Sequence, residues 1–410
     1  MRARLLPAVL VAGLLVPLTS WGTPSGPQVA AAQSRQEAAQ AVLDERETAI
    51  RNGDRDAFLA TVDSGADEEF KARQAALFDG LRSVPLASYE LIVRTDEVPD
   101  LGMGLDERYI ADEVYLPAVE SRYRIEGVDA VDALDGLFYT FLRREGRWRI
   151  VSDTDVEDLG LPTARNLWDF GPVARSRSPH FTVLFNSANR ERAEALLRLA
   201  EEARDRLAAT FDRPLPDQTL LILPRSVDQL AEMLQATFDL TNFVAFAAAA
   251  VDRDEGWEAT APRVFAQDVN LARSGRSFQL ETLHHEFVHV AAFPLAGPFV
   301  PAWVHEGIAD WIANGRGRPF EAAASDEVLP EDFEFTTGGL HAIVSAYQES
   351  TSAMAFLAQA KGADAPLDLL VEVGEPRVAP GTMDYHTDAA LRSLYGKGLT
   401  DFQQDWGGGK

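Results

Sequence analysis

His285-Glu286-Phe287-Val288-His289 sits in the helical-looking run 278–292, and the rest of the chain is read outward from it. Residues four apart on an α-helix are separated by about 400°, so both imidazoles leave one face, a turn apart, placed to share one metal ion. Glu286 projects about 100° round, beside that ion. Zinc accepts neutral imidazole nitrogen, and a water on its open position is acidified toward neutrality. A carboxylate next to that water takes its proton and later hands it to a departing amine. H-E-x-x-H is the signature of such peptide-hydrolysing chemistry, although alone it also describes two solvated histidines on an ordinary helix.

A second stretch separates these readings. Trp303-Val304-His305-Glu306-Gly307-Ile308-Ala309-Asp310-Trp311 begins shortly after the first, with sixteen residues between His289 and Glu306. A zinc ion held by two histidines needs a third protein ligand and an open fourth position, and two histidines with one glutamate form a known catalytic set. Glu306 completes it. Asp310 follows on the same helical face, where a carboxylate holds the far ring N–H of a ligand histidine and fixes its tautomer. His284 and His305 neighbour expected ligands but point about 100° away, so both are expected to pack or face solvent.

HEFVH followed by W-x-x-E-G-x-A-D-W resembles the gluzincin metallopeptidases, which include thermolysin and the zinc aminopeptidases, and in particular an exported bacterial group with E-G-x-A at about this distance. The resemblance implies Zn2+ as cofactor, His285, His289 and Glu306 as metal ligands, Glu286 as general base and Asp310 as the orienter of a ligand. It also implies a peptide or protein substrate. Tyr347, in Ser345-Ala346-Tyr347-Gln348, matches a tyrosine found after E-G-x-A in that group, and is the expected oxyanion donor. His341, His386 and Tyr385 are weaker alternatives, and core packing is the competing role for Tyr347.

Before this region the expected fold class is α+β. Residues 36–155 read as helices at 37–52, 57–62 and 70–81, then strands at 89–95, 114–125, 137–144 and 148–153, with Glu145-Gly146-Arg147 as a hairpin turn. Helices over a curved antiparallel sheet, closing on F-L-R-R-E-G-R-W-R-I, are similar to the cone-shaped nuclear-transport-factor-2-like fold. That likeness implies a non-catalytic accessory domain that binds a partner or packs on the peptidase half. Asp96, Asp106, Asp112 and Asp132 are read as surface carboxylates.

Residues 156–179 carry Pro162, Gly171, Pro172 and Pro179 around Trp168 and Phe170, an ordered linker whose aromatic pair docks rather than hangs free. The second domain, 180–406, is read as a zincin-like α+β unit with a largely helical C-terminal half. Strand, helix, strand, a helix capped by Ser226, and further strands lead to the metal helix. The alanine run 247–250 fits strand or helix. By the family likeness, residues 263–269 are the edge strand above the metal, where an extended peptide would pair. Residues 320–339 are read as an acidic loop over the cleft.

Residues 1–32 read as a leader: Arg2 and Arg4, an apolar run 5–18, then Ala30-Ala31-Ala32 for cleavage. At about 14 residues the run is short of a bilayer span, so a secreted or cell-envelope location is expected, with membrane contact only if the leader is retained. No cysteine is present, which excludes a lipidated N-terminus and a disulfide framework. A net charge of −26 argues against nucleic acid and anionic lipid as partners. An extracytoplasmic binding protein that keeps the zincin fold without turnover is the alternative reading.

Overall fold

The computed structural model describes residues 6–11, 27–94, 104–186, 190–252, 258–315, 328–337, 339–375 and 381–408. The architecture is α+β, with antiparallel sheets in the first half and a helical C-terminal half. Strand β1 (Leu6–Val11) comes from the leader region; the rest of that region before residue 27 lies outside the described residues. Helix α1 (Pro27–Asn52) ends at Gly53, whose φ of 71° suits a residue without Cβ. Helices α2 (Arg55–Ala60) and α3 (Glu68–Leu81) each start on an aspartate cap, Asp54 accepting from the Ala57 amide and Asp67 from the Phe70 amide.

Strands β2 (Leu86–Arg94), β3 (Glu113–Tyr115), β4 (Ala118–Ile125), β5 (Ala133–Phe138), β6 (Thr140–Arg144) and β7 (Arg147–Ser152) follow, with the short helix α4 (Leu105–Arg108) between β2 and β3. They form two three-stranded antiparallel ladders, β2-β4-β5 and β3-β6-β7. The sequence runs read as single strands at 114–125 and 137–144 are each split between the ladders. Pro117 lies in the first break and cannot donate to a ladder; the second falls at Tyr139. Glu145 and Gly146, with φ of 50° and 74°, form the tight turn between β6 and β7. Helix α1 covers the edge of β2: the Gln40 carboxamide donates to the Leu91 carbonyl and accepts from the Val93 amide, and Glu47 accepts from the Leu91 amide.

The segment after β7 is pinned by Trp168, buried and edge-on to Tyr123 at 5.1 Å. Gly80 admits it, since a Cβ there would lie 1.9 Å from the Trp168 carbonyl oxygen. Strands β8 (Ala174–Arg177) and β9 (Phe181–Phe185), helix α5 (Arg190–Ala208), strand β10 (Thr219–Leu223), helix α6 (Val227–Leu234) and strands β11 (Phe243–Asp252) and β12 (Glu258–Ala266) then build a sheet in the order β1-β11-β12-β10-β9-β8. Ser226 caps α6 through the Gln229 amide. Strands β9, β10 and β12 are parallel, β11 runs against β12, and β1 lies parallel to β11.

One expectation is corrected here. Residues 263–269 are not an edge: β12 is hydrogen-bonded on both sides, to β10 and β11. The edge on that side is β1, with β11 next to it, and the alanine run of β11 is extended. Sheet order is a matter of long-range pairing, which local patterning does not encode.

Among the described residues, seven α-helices follow: α7 (Asp268–Arg273), α8 (Arg276–Ala292), α9 (Ala302–Asp310), α10 (Gly339–Lys361), α11 (Ala365–Gly374), α12 (Met383–Leu394) and α13 (Leu399–Gly407). The sheet is apolar on both faces. Phe181, Val183, Phe185, Leu221 and Val264 pack into one core with α5, α8 and the C-terminal helices. Leu184, Leu220 and Ile222 point the other way and join Phe78, Tyr123, Ile125 and Trp168 of the first half in a separate core. The first half thus covers the sheet face opposite the helix carrying the two motif histidines. Arg263 on β12 spans this contact with two hydrogen bonds to Asp129, at 2.6 and 2.8 Å, both side chains buried.

Candidate metal centre

Helix α8 shows little amphipathic contrast because it has almost no wet side. Its residues from Thr282 to Ala292 are all buried, between the sheet, α5 and α9. Histidine and glutamate at 285, 286 and 289 are therefore polar groups held inside an apolar shell, which requires compensating partners.

For the histidines those partners converge. The His285 and His289 Nε2 atoms lie 3.0 Å apart, and Glu306 Oε2, brought in by α9, is 3.1 Å from the first and 3.6 Å from the second. Ligand atoms around a tetrahedral zinc at ordinary bond lengths sit roughly 3.3–3.5 Å from each other, so the three atoms are spaced as a metal site requires. His285, His289 and Glu306 can hold a metal ion, and all three are buried. Asp310 Oδ1 lies 2.8 Å from His285 Nδ1, which leaves Nε2 turned to the cluster, and Thr351 Oγ1 stands 3.3 Å from Asp310 Oδ2. Asp332 accepts from the Ala302 amide at 2.8 Å and so caps α9.

The electrostatics fit a cation. Burial acts to lower the His285 pKa, but the Asp310 and Glu306 carboxylates outweigh it and push it up to about 10. Burial would raise Glu306; the two histidines hold it far below the usual carboxylate range instead. His289, for which burial dominates, is lowered. The Asp310 and Glu306 carboxylates thus favour positive charge at the two imidazoles. Glu286 is different. Burial, with Glu306 adding, pushes it up to about 8 against the pull of His285 and the Ala247 amide. Neither carboxylate oxygen closes a hydrogen bond of normal geometry, and among the described residues no other buried carboxylate oxygen is left so.

The remaining histidines fall outside the cluster. His284 and His305 are both buried, both pushed down to about 4 chiefly by burial, and each keeps one ring nitrogen unbonded. His386 stacks on Phe299 at 4.2 Å, whereas Tyr385 and His341 are exposed. Tyr347 is buried with its ring centre 6.1 Å from that of His285, and its hydroxyl hydrogen-bonds Glu306. Phe335 meets the same ring edge-on at 5.3 Å; of the expected covering loop, residues 320–327 and 338 lie outside the described residues. Sequence reading missed Thr351, although its place four residues after Tyr347 on one helix was the available signal.

No family model matches the chain, and no curated protein does. Among solved structures, Legionella pneumophila aminopeptidase A in complex with aspartic acid is similar at a TM-score of 0.35 and 12% identity. The match covers 79% of this chain and 38% of that one, so this chain spans well under half the length of that protein. A likeness of that size decides nothing about activity, and the functional reading rests on the site.

Proposed function

We propose that the protein is an exported zinc-dependent metallopeptidase of the gluzincin type, with a nuclear-transport-factor-2-like domain as its N-terminal half. The observation that carries this is the buried meeting of His285, His289 and Glu306 beside the equally buried Glu286. His285, His289 and Glu306 hold the ion, and Asp310 keeps the His285 ring in the tautomer that offers Nε2. Bound zinc supplies a Lewis acid that polarises a carbonyl and acidifies water. Glu286 takes the proton of the attacking water and returns it to the departing amine. Its buried place on the helix beside the two ligand histidines matches that task.

The substrate class is an extended peptide or protein segment. With the leader removed, β11 becomes the sheet edge on the side of α8, offering main-chain groups for strand pairing. Export rests on the leader composition. Among the described residues no helix is long and apolar enough to cross a membrane. The first half serves as a structural cover for the sheet. The test is cleavage of a mixed peptide library by the full chain, with and without a chelator. Chelator-sensitive cleavage supports the peptidase; zinc uptake without cleavage refutes it in favour of a binding protein on a zincin scaffold.

A further inference from the structure

We propose that helix α10 is a two-point clamp on the metal ligands, in which Tyr347 fixes the Glu306 carboxylate and Thr351 fixes Asp310, and through it His285. The inference rests on the metal centre described above and assigns roles to residues that touch no substrate.

The geometry begins at Gly307. A Cβ there would lie 2.7 Å from the Ser350 carbonyl oxygen and 2.9 Å from Met354 Cγ, so α9 and α10 cross in backbone contact at the residue after Glu306. Any side chain at 307 pushes the helices apart. Ser350 supports the close approach: it is fully buried and turns its hydroxyl back to the Ala346 carbonyl at 2.7 Å.

Tyr347 and Thr351 flank this crossing, four residues apart and on one face of α10. The Tyr347 hydroxyl donates to the Glu306 carboxylate, and its ring centre lies 5.3 Å from that of Phe335 and 6.1 Å from that of His285. A carboxylate ligand held this way cannot turn freely about its last torsion. Thr351 acts one step further out, on the Asp310 oxygen that His285 does not use. Its single proton has two acceptors, Asp310 at 3.3 Å and the Tyr347 carbonyl at 2.8 Å. The Thr351 point is therefore the weaker of the two.

This role differs from the oxyanion donor expected from sequence. A donor to the scissile carbonyl must give its proton to substrate, whereas the Tyr347 proton is engaged by Glu306. Tyr347 is a positioning residue, and the two roles separate in measurement. Loss of a group that orients a ligand weakens metal affinity by roughly tenfold to a hundredfold. Loss of an oxyanion donor lowers kcat with affinity unchanged, by about a hundredfold or more.

The test uses the full chain stripped of metal and titrated with zinc against a chelating dye, alongside kcat at saturating zinc. Tyr347→Phe is expected to raise the zinc Kd about tenfold or more and to lower kcat by a smaller factor. Thr351→Val is expected to raise Kd by less, and Thr351→Ser to restore the wild-type value. Tyr347→Phe with wild-type affinity overturns the clamp, and a hundredfold fall in kcat beside it restores the oxyanion role. Thr351→Ser binding zinc as poorly as Thr351→Val overturns the second point. A wild-type chain that takes up no zinc overturns the metal centre itself, which distinguishes that failure from failure of the clamp alone.

Discussion

Both halves of this molecule bury charge, but they end the job differently. In the first half each buried carboxylate among the described residues closes on protein partners. Asp153 accepts from Arg73 at 2.9 Å and Arg165 at 2.8 Å, Asp155 from Tyr109 and Thr140, and Asp129 takes both arms of Arg263. In the second half the network stays open. Two Nε2 atoms and a carboxylate oxygen converge on one another, and neither oxygen of the neighbouring Glu286 closes a hydrogen bond of normal geometry. Buried carboxylates closed on arginine and hydroxyl partners hold a fold together; a carboxylate that meets two imidazole nitrogens offers ligand atoms.

The largest expected effect falls on the open network. Glu286→Gln keeps the shape and removes the proton acceptor, so kcat should drop by roughly a hundredfold to ten-thousandfold while zinc content stays at the wild-type level. Wild-type turnover in that variant would place the chemistry elsewhere.

The closed network should fail as structure instead. Asp129→Ala leaves the Arg263 guanidinium buried without its partner, at a cost of about 3–5 kcal/mol in chemical denaturation. Metal affinity of the protein that remains folded should be unchanged, since this pair lies on the far face of the sheet. A variant that keeps its stability but loses zinc would erase the distinction between the halves.

A smaller effect is expected where the two kinds of network meet. Asp310→Asn should weaken zinc binding by about tenfold to a hundredfold, through loss of control over the His285 ring. An unchanged zinc titration would reduce Asp310 to a packing residue.

The last effect is a pH dependence in the first half. Burial raises Asp135 to about 6 and Asp169 to about 7, partly offset by Asn166 and Arg165 respectively. Both hold a proton more firmly folded than unfolded, so their stabilising contribution is full below about pH 4 and is lost as pH rises through 6 and 7. Asp169→Asn should flatten the fall in melting temperature between pH 5 and pH 8. An identical slope in the variant would assign it to other groups.

The meeting of His285, His289 and Glu306 was legible in the sequence because its spacing is helical arithmetic. Four residues place His285 over His289, and four more bring Asp310 onto the face of Glu306. What it withheld was everything decided by contact between distant segments. The position of β12 inside the sheet depends on pairing with β10 and β11, and two long strand-like runs are divided between separate ladders at Pro117 and Tyr139, which is likewise a matter of distant pairing. Gly307 reads in sequence as one letter of a motif; only the Ser350 carbonyl beneath it shows why no side chain fits. Thr351 carries no motif at all, and its link to Asp310 exists because two helices cross there.

The central claim is that His285, His289 and Glu306 together hold one ion. Zinc uptake by the metal-stripped full chain, compared with Glu306→Ala, tests it most directly. One ion bound per wild-type chain, and affinity lost by orders of magnitude without the Glu306 carboxylate, is the result expected. No uptake by the wild type, or equal affinity in the variant, would contradict it.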